Sequence, residues 1–400
     1  MRVAERMGGL PRIGLDIMGD LADEQDSAGA AEPSFRLENA DSDIPPPEIA
    51  VRATRETVGE DAYNSWLPLV GLREMRQAVA DSIRRDDGLD YDWSSEVIVT
   101  NGVQEGLLSV LLALLDPGDG VITPEPAYSG IINRIRLAHG MPLFVPLREE
   151  QGWRLDLDAL ERAGAEPRAK AIVFNATNMP AGVLYTRAEL DAIADLARRR
   201  DLWVVYSAVT SRLTFDIERA LNIATWPSMR ERTIVVDGVS KDYNMTAWRI
   251  GWAVGDRAVI EHVGKAHMYN GTLTSAFAQA GVTAFLNDHE GARAYVRRCA
   301  GILAERGRLA AEGLNAVPGL SCVAPEGGWW FLLDHRAVEP DDAAFAQVLL
   351  AEANVAVTPM ATWGPSTAMG HVRIIFANEP VDRLREAVAR IGRVAAARMR

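Results

Sequence analysis

Residues 233–255, TIVVDGVSKDYNMTAWRIGWAVG, decide how this chain is read. The β-branched run at 233–237 predicts a strand that ends just before Ser240-Lys241. A short loop follows, and Trp248-Arg249-Ile250-Gly251-Trp252 opens a second strand over 251–254. Upstream the same rhythm repeats. A strand at 97–100 leads into a helix over 104–115, which Pro117-Gly118-Asp119 stops. Further strand-like runs lie at 121–122, 143–145, 171–174 and 202–206, with a helix over 186–200. Strands alternating with helices predict an α/β fold built on a doubly wound, mostly parallel sheet. Such sheets bind ligands at the carboxyl ends of their strands.

Beyond about residue 290 the pattern changes. A long helix over 290–315 precedes an aromatic strand at 329–332, a strand at 372–376 and a last helix over 381–397. This half predicts a smaller α+β domain. Toward the N-terminus, Met75, Val79 and Ile83 form a helical stripe over 72–83, and Pro45-Pro46-Pro47 interrupts regular structure. Residues 21–34 are small, acidic and aperiodic, which predicts a flexible arm. The expected organisation is an arm over 1–34, an N-terminal part of the small domain over 35–60, a large domain over 61–290 and the C-terminal small domain over 291–400.

The chain has 400 residues, and 42 basic against 55 acidic side chains give a net charge of −13. That balance excludes a nucleic-acid or anionic-membrane binder, because both need a cationic surface. Cys299 and Cys322 form no disulfide framework and lack metal-ligand spacing, and the six histidines are scattered, so no metal is expected. The N-terminus carries no secretory apolar core, and the longest apolar run, 107–115, is about half a bilayer crossing. The expected location is the cytoplasm.

The segment around Lys241 resembles the Schiff-base segment of the class I/II aminotransferases, the fold-type-I enzymes of pyridoxal 5′-phosphate (PLP). By that resemblance Lys241, following Ser240, would form the Schiff base with the cofactor, and Arg249 would pair with its phosphate. The residue types suit the roles: a desolvated amine is a better nucleophile, and a guanidinium fork matches a phosphate. Thr100-Asn101-Gly102-Val103-Gln104 resembles the family's phosphate-cradling turn at a helix N-terminus. Pro124-Glu125-Pro126-Ala127-Tyr128 matches the next signature, with the Tyr128 ring stacked on the pyridine or, alternatively, packed in the core. Near the end, 359–364 and His371-Val372-Arg373 resemble the segment whose arginine grips a substrate α-carboxylate. A structural ion pair is the alternative for Arg373. The family's dimeric sites imply a homodimer, with Tyr63, Trp66 and Met268-Tyr269-Asn270 reaching toward the partner.

The departures from the family pattern carry as much information. Where the family has Asp-Glu-x-Tyr, this chain reads Ser207-Ala208-Val209-Thr210, so Ser207 faces the pyridine nitrogen and Thr210 replaces the tyrosine. In Asn178-Met179-Pro180-Ala181-Gly182, Met179 stands at the usual asparagine and Asn178 comes one residue early. Trp66 stands where a partner tyrosine usually meets the phosphate, and Gly327-Gly328-Trp329-Trp330 brings two indoles to the substrate side, as cleft wall or as core. A neutral serine cannot hold the ring nitrogen protonated as a carboxylate does. The chain therefore reads as a PLP-dependent enzyme acting on an α-amino acid by elimination, replacement or cyclisation in specialised biosynthesis. Ordinary amino acid transamination is one alternative. A PLP-independent enzyme or binding protein on the same fold is another.

Overall fold

The computed structural model of the protein describes residues 4–29, 32–365 and 369–399. The first elements in chain order are α1 (Glu5–Gly8), α2 (Gly14–Ser27), β1 (Phe35–Arg36), α3 (Glu48–Thr57), α4 (Arg73–Asp87), β2 (Val97–Thr100) and α5 (Val103–Leu114). Then come β3 (Gly120–Glu125), α6 (Ser129–Leu137), β4 (Met141–Arg148), β5 (Arg154–Leu155), α7 (Leu157–Gly164), β6 (Ala169–Asn175), α8 (Arg187–Arg200) and β7 (Trp203–Ser207). The chain continues through β8 (Thr233–Gly238), β9 (Gly251–Val254), α9 (Arg257–Asn270), α10 (Ala276–Asn287) and α11 (His289–Asn315). It ends with β10 (Trp330–Asp334), α12 (Asp342–Ala353), β11 (Val355–Ala356), β12 (Thr358–Pro359), β13 (His371–Ile375) and α13 (Val381–Arg398).

Eight strands form one sheet in the order β2-β9-β8-β7-β6-β3-β4-β5. Neighbours from β8 through β4 pair in parallel, and β9 runs against both β2 and β8. Every residue of β2, β3, β8 and β9 is buried, which is why these strands read as apolar runs rather than as alternations. Side-chain alternation splits the core in two. Val205, Ile234 and Val236 join Leu107 and Val110 of α5 and Val263 of α9 on one face. Val204, Tyr206 and Val235 face the larger core on the other. The expected doubly wound, mostly parallel sheet is what the chain forms.

Among the described residues no helix is long and apolar enough to cross a membrane. Local signals agree with the boundaries. Thr186 and Glu189 form a reciprocal capping box at the start of α8, and Gly88 stops α4 in the left-handed conformation at φ 69°.

Beside the large sheet, β10, β13 and β12 form an antiparallel sheet, and β1 pairs in parallel with β11 across more than 300 residues of sequence. The arm expected over 1–34 falls partly outside the described residues, at 1–3, 30 and 31. The remainder departs from that expectation, because residues 14–27 form α2. Met18 (2% exposed) and Ala22 are buried on its inner side. Asp23 pairs with Arg36 at 2.6 Å, Asp26 accepts from Ser34 Oγ at 2.7 Å, and Gln25 Nε2 donates to Asn354 Oδ1 at 2.6 Å. Tertiary docking overrides a composition that by itself favours disorder. Truncating the docked side chain, Met18→Ala, is expected to destabilise the protein by about 2 kcal/mol or more. Thermal unfolding followed by circular dichroism checks this, and an unchanged midpoint would show that α2 carries no packing energy.

Candidate active site

The site residues gather at the carboxyl ends of the parallel strands. Asn101-Gly102 follow β2, Tyr128 follows β3, Asn178 follows β6, Ser207 ends β7, and Ser240-Lys241 follow β8. The loop after β8 is tied to itself. Val239 N–H donates to Ile250 O at 3.2 Å, Thr246 Oγ1 to Ser240 O at 3.1 Å, and Asn244 Nδ2 to Tyr295 Oη at 2.9 Å.

From this loop the half-buried Lys241 sends its Nζ to Ala40 O and lies 4.5 Å from the centre of the Trp329 ring. Burial pushes the ammonium down to about 8, the charges of Arg373 and Arg249 push the same way, and Asp41 opposes them. A large fraction of this amine is therefore neutral and nucleophilic near pH 8.

The anion-binding end is built around Gly102. It has φ 78°, precedes α5, and offers no side chain to cap the helix, so the first backbone N–H groups of α5 stay open to a ligand. A Cβ on Gly102 would lie 2.9 Å from Arg249 Cζ, and one on Gly251 would lie 2.7 Å from Val103 N. Arg249, in the left-handed conformation at φ 54°, donates to Thr246 O at 2.9 Å and to Ser240 Oγ at 3.4 Å. Val103 and Gln104 supply the open turn, and the buried Gln104 Oε1 has no partner. Arg134, absent from the sequence-based expectations, braces the same turn from α6 through Nε to Gln104 O at 2.7 Å.

At the far end Arg373 is fully buried. Its Nη2 donates to Glu38 O (2.7 Å) and Thr358 Oγ1 (3.0 Å), while Nε and Nη1 have no partner. Burial lowers the guanidinium to about 10, against the opposing influence of Tyr128 and Glu38. The structural ion pair considered for Arg373 is not formed, since the Glu38 carboxylate bonds Arg36 instead. Trp363 lies under Arg373 with its ring centre 4.8 Å from Cζ, and Tyr128 tilts against Trp363 at 5.6 Å.

Other expected positions are committed differently. Both indoles are buried in one core: Trp329 has the Lys241 amine over its ring, and Trp330 donates Nε1 to Asn178 O at 2.9 Å. Asn178 Oδ1 accepts from Ala181 N–H at 3.1 Å and so closes its own loop. Thr210 Oγ1 turns back onto Val209 O at 2.5 Å, and φ is 65°, an uncommon conformation for a β-branched residue. Ser207 is buried at the carboxyl end of the central strand β7, its carbonyl accepting from Ala176 N–H at 2.8 Å. Trp66 is 73% exposed and stands on the surface rather than in a buried pocket. Glu149, Asp334 and His371 bring ligand atoms within 4.8 Å of one another, but Arg336 already bridges the two carboxylates at 2.9 and 2.6 Å.

Comparison with known proteins matches residues 36–391 to the aminotransferase class I and II family. The chain is 33% identical over 358 residues to an aspartate/prephenate aminotransferase of Thermus thermophilus, covering 90% of each chain. It is 29% identical to aromatic-amino-acid aminotransferase 2 of Thermococcus litoralis, over 92% of this chain and 93% of that one. The crystal structure of Thermus thermophilus aspartate aminotransferase with maleate superposes with a TM-score of 0.91 at 31% identity, over 98% of this chain and 100% of that one. The chain belongs to the class I and II aminotransferases, PLP-dependent enzymes. The residues present fit that cofactor: a partly neutral lysine, an uncapped helix start facing an arginine, and an aromatic at Tyr128. The cofactor-free reading of the fold falls with this result.

Two measurements test the geometry. The rate at which apoprotein captures PLP should rise with pH and level off above about 8, because only the neutral amine attacks. A rate flat from pH 6 to 10 would contradict it. Gly102→Ala forces a side chain against Arg249 and should weaken PLP binding at least about tenfold, ~1.4 kcal/mol, with the fold intact by circular dichroism.

Proposed function

We propose that the protein is an amino acid aminotransferase that passes the amino group of an α-amino acid to a 2-oxo acid. The observation that carries this is Arg373. It is a buried guanidinium with two unpartnered nitrogens, close enough to Lys241 for its charge to lower the amine. The relatives, whose printed activities concern aspartate, prephenate and aromatic amino acids, support transamination over elimination, replacement or cyclisation.

Arg373 binds the substrate carboxylate and so orients Cα toward Lys241. Neutral Lys241 would take the proton from Cα and deliver it, within the same half-reaction, to the cofactor carbon that bears the transferred nitrogen. Arg249 and the open amides of α5 hold the cofactor phosphate. PLP, when bound, supplies the electron-withdrawing ring that accepts the electron pair released at Cα. Trp329, under the amine, keeps water from one side of it. With Trp363 and Tyr128 also lining this region, the walls favour an aromatic or apolar amino acid over an acidic one. A homodimer accords with the exposure of Trp66 (73%), Tyr269 (88%) and Met268 (37%), three large groups that a partner subunit could cover.

Ser207 favours a second reading, a non-standard reaction, because a neutral hydroxyl cannot hold the ring nitrogen protonated by charge. One assay separates the two. With 2-oxoglutarate and a panel of amino acids, transamination yields glutamate and the matching 2-oxo acid in equal amounts, with aromatic donors preferred. Ammonia released without glutamate would overturn transamination in favour of elimination. In the same assay Ser207→Asp should speed amino transfer about tenfold or more, roughly 1.4 kcal/mol of barrier.

A further inference from the structure

Behind the phosphate-binding turn lies a buried acid–base pair for which the reaction itself has no use. Glu105, in the first turn of α5, has Oε2 3.0 Å from His267 Nδ1 on α9, and the same oxygen accepts Asn101 N–H at 3.0 Å. Its other oxygen accepts from Ser109 Oγ at 2.5 Å. His267 is fully buried, and its Nε2 has no partner. The donors around Glu105, with His267 and Ser109 foremost, hold its carboxyl below the ordinary range despite burial, so it carries its charge. Asn101 is fastened twice more: its Nδ2 donates to Gly271 O at 3.1 Å, in the turn that ends α9, and its carbonyl lies 3.5 Å from Arg249 Nη2.

A carboxylate in the first turn of a helix occupies ground that a phosphate would otherwise share. Left free, Glu105 would repel a dianion arriving at Gly102-Val103. Bonded as it is, its charge is drawn toward His267 and Ser109, and the oxygen shared with His267 also fixes the Asn101 amide at the entrance to the cup. The imidazole is the donor that reaches Glu105 from outside the segment 101–109, so it decides which way the carboxylate faces.

We propose that His267 and Glu105 are a positioning pair that preforms the cofactor-phosphate cup, with His267 turning the Glu105 carboxylate away from the phosphate and onto Asn101 N–H. The pair touches neither the substrate nor the reacting atoms. It acts on cofactor affinity through the backbone of 101–103, and it rests on the assignment of that cup to the PLP phosphate.

The test compares the full-length protein with His267→Leu, which removes the donor, and His267→Asn, whose Nδ2 stands close to the place of the imidazole Nδ1. PLP binding to apoprotein is titrated by absorbance, kcat is measured at saturating PLP, and amide hydrogen exchange of the peptide containing 101–103 is followed in the apoprotein. His267→Leu is expected to raise the PLP dissociation constant about tenfold, leave kcat at saturation within about twofold and accelerate exchange at the cup. His267→Asn is expected to restore most of the affinity. Wild-type affinity in His267→Leu would overturn the proposal. So would a loss that His267→Asn fails to restore while both variants keep the wild-type melting temperature. If His267→Leu does not fold, the wild-type apoprotein still decides: a cup exchanging as fast as an unstructured loop is not preformed. A wild-type protein that binds no PLP would refute the cofactor assignment itself, an outcome distinct from a variant that binds it unchanged.

Discussion

Three cations, Lys241, Arg249 and Arg373, meet along one cleft, and among the described residues none has a carboxylate within ion-pair distance. In a chain of net charge −13 this is unusual company. Two buried arginines elsewhere are matched: Arg212 lies between Asp237 at 2.9 Å and Asp242 at 3.3 Å, and Arg306 pairs with Asp43 at 2.6 Å. An unmatched buried cation is costly unless a ligand completes it. Arg373 is fully buried and carries that cost, whereas Arg249 is exposed and presents its charge at the other end of the cleft, with the amine near both. The sheet, the loop bonds after β8 and the docking of residues 38–41 all serve to hold that arrangement open.

The architecture was legible because the segments that build it are long and locally consistent. Strands β2, β6, β7 and β8 and helices α5 and α8 lie within a residue or two of their expected places, and Lys241, Arg249, Tyr128 and Arg373 reach the cleft from the elements the sequence assigned them. What stayed hidden depends on distant partners. Helix α2 is a polar segment whose order comes from Met18 and Ala22 meeting chain more than 300 residues away. Arg134 and His267 carry no local signature, since their partners Gln104 and Glu105 lie 30 and 162 positions off. The adjacent indoles 329 and 330 could not be sorted by composition. Both are buried, and as neighbours in extended chain they point opposite ways, one ring under Lys241 and the other onto Asn178 O.

The substitutions at 207 and 210 read differently once placed. Ser207 is buried at the carboxyl end of β7, among the strand ends that also carry Asn178 and Lys241. Thr210 spends its hydroxyl on its own backbone, and Asn178 spends its carbonyl oxygen on its own loop. Neither side chain therefore offers its oxygen to the cleft, while the turn at 102–104 is braced by Arg134.

The pairing of β1 with β11 sets an order of assembly. Residues 38–40, whose carbonyls receive Arg373 and Lys241, lie more than 300 residues before the strand that seats them and the arginine that meets them. Long-range closure of this kind is slow and waits for distant chain. A nascent chain can fold its large sheet and expose its lysine well before it has a finished pocket. Cofactor met during synthesis would thus encounter an amine whose neighbour Arg373 has yet to be made, and the cleft is complete only once β13 has joined it.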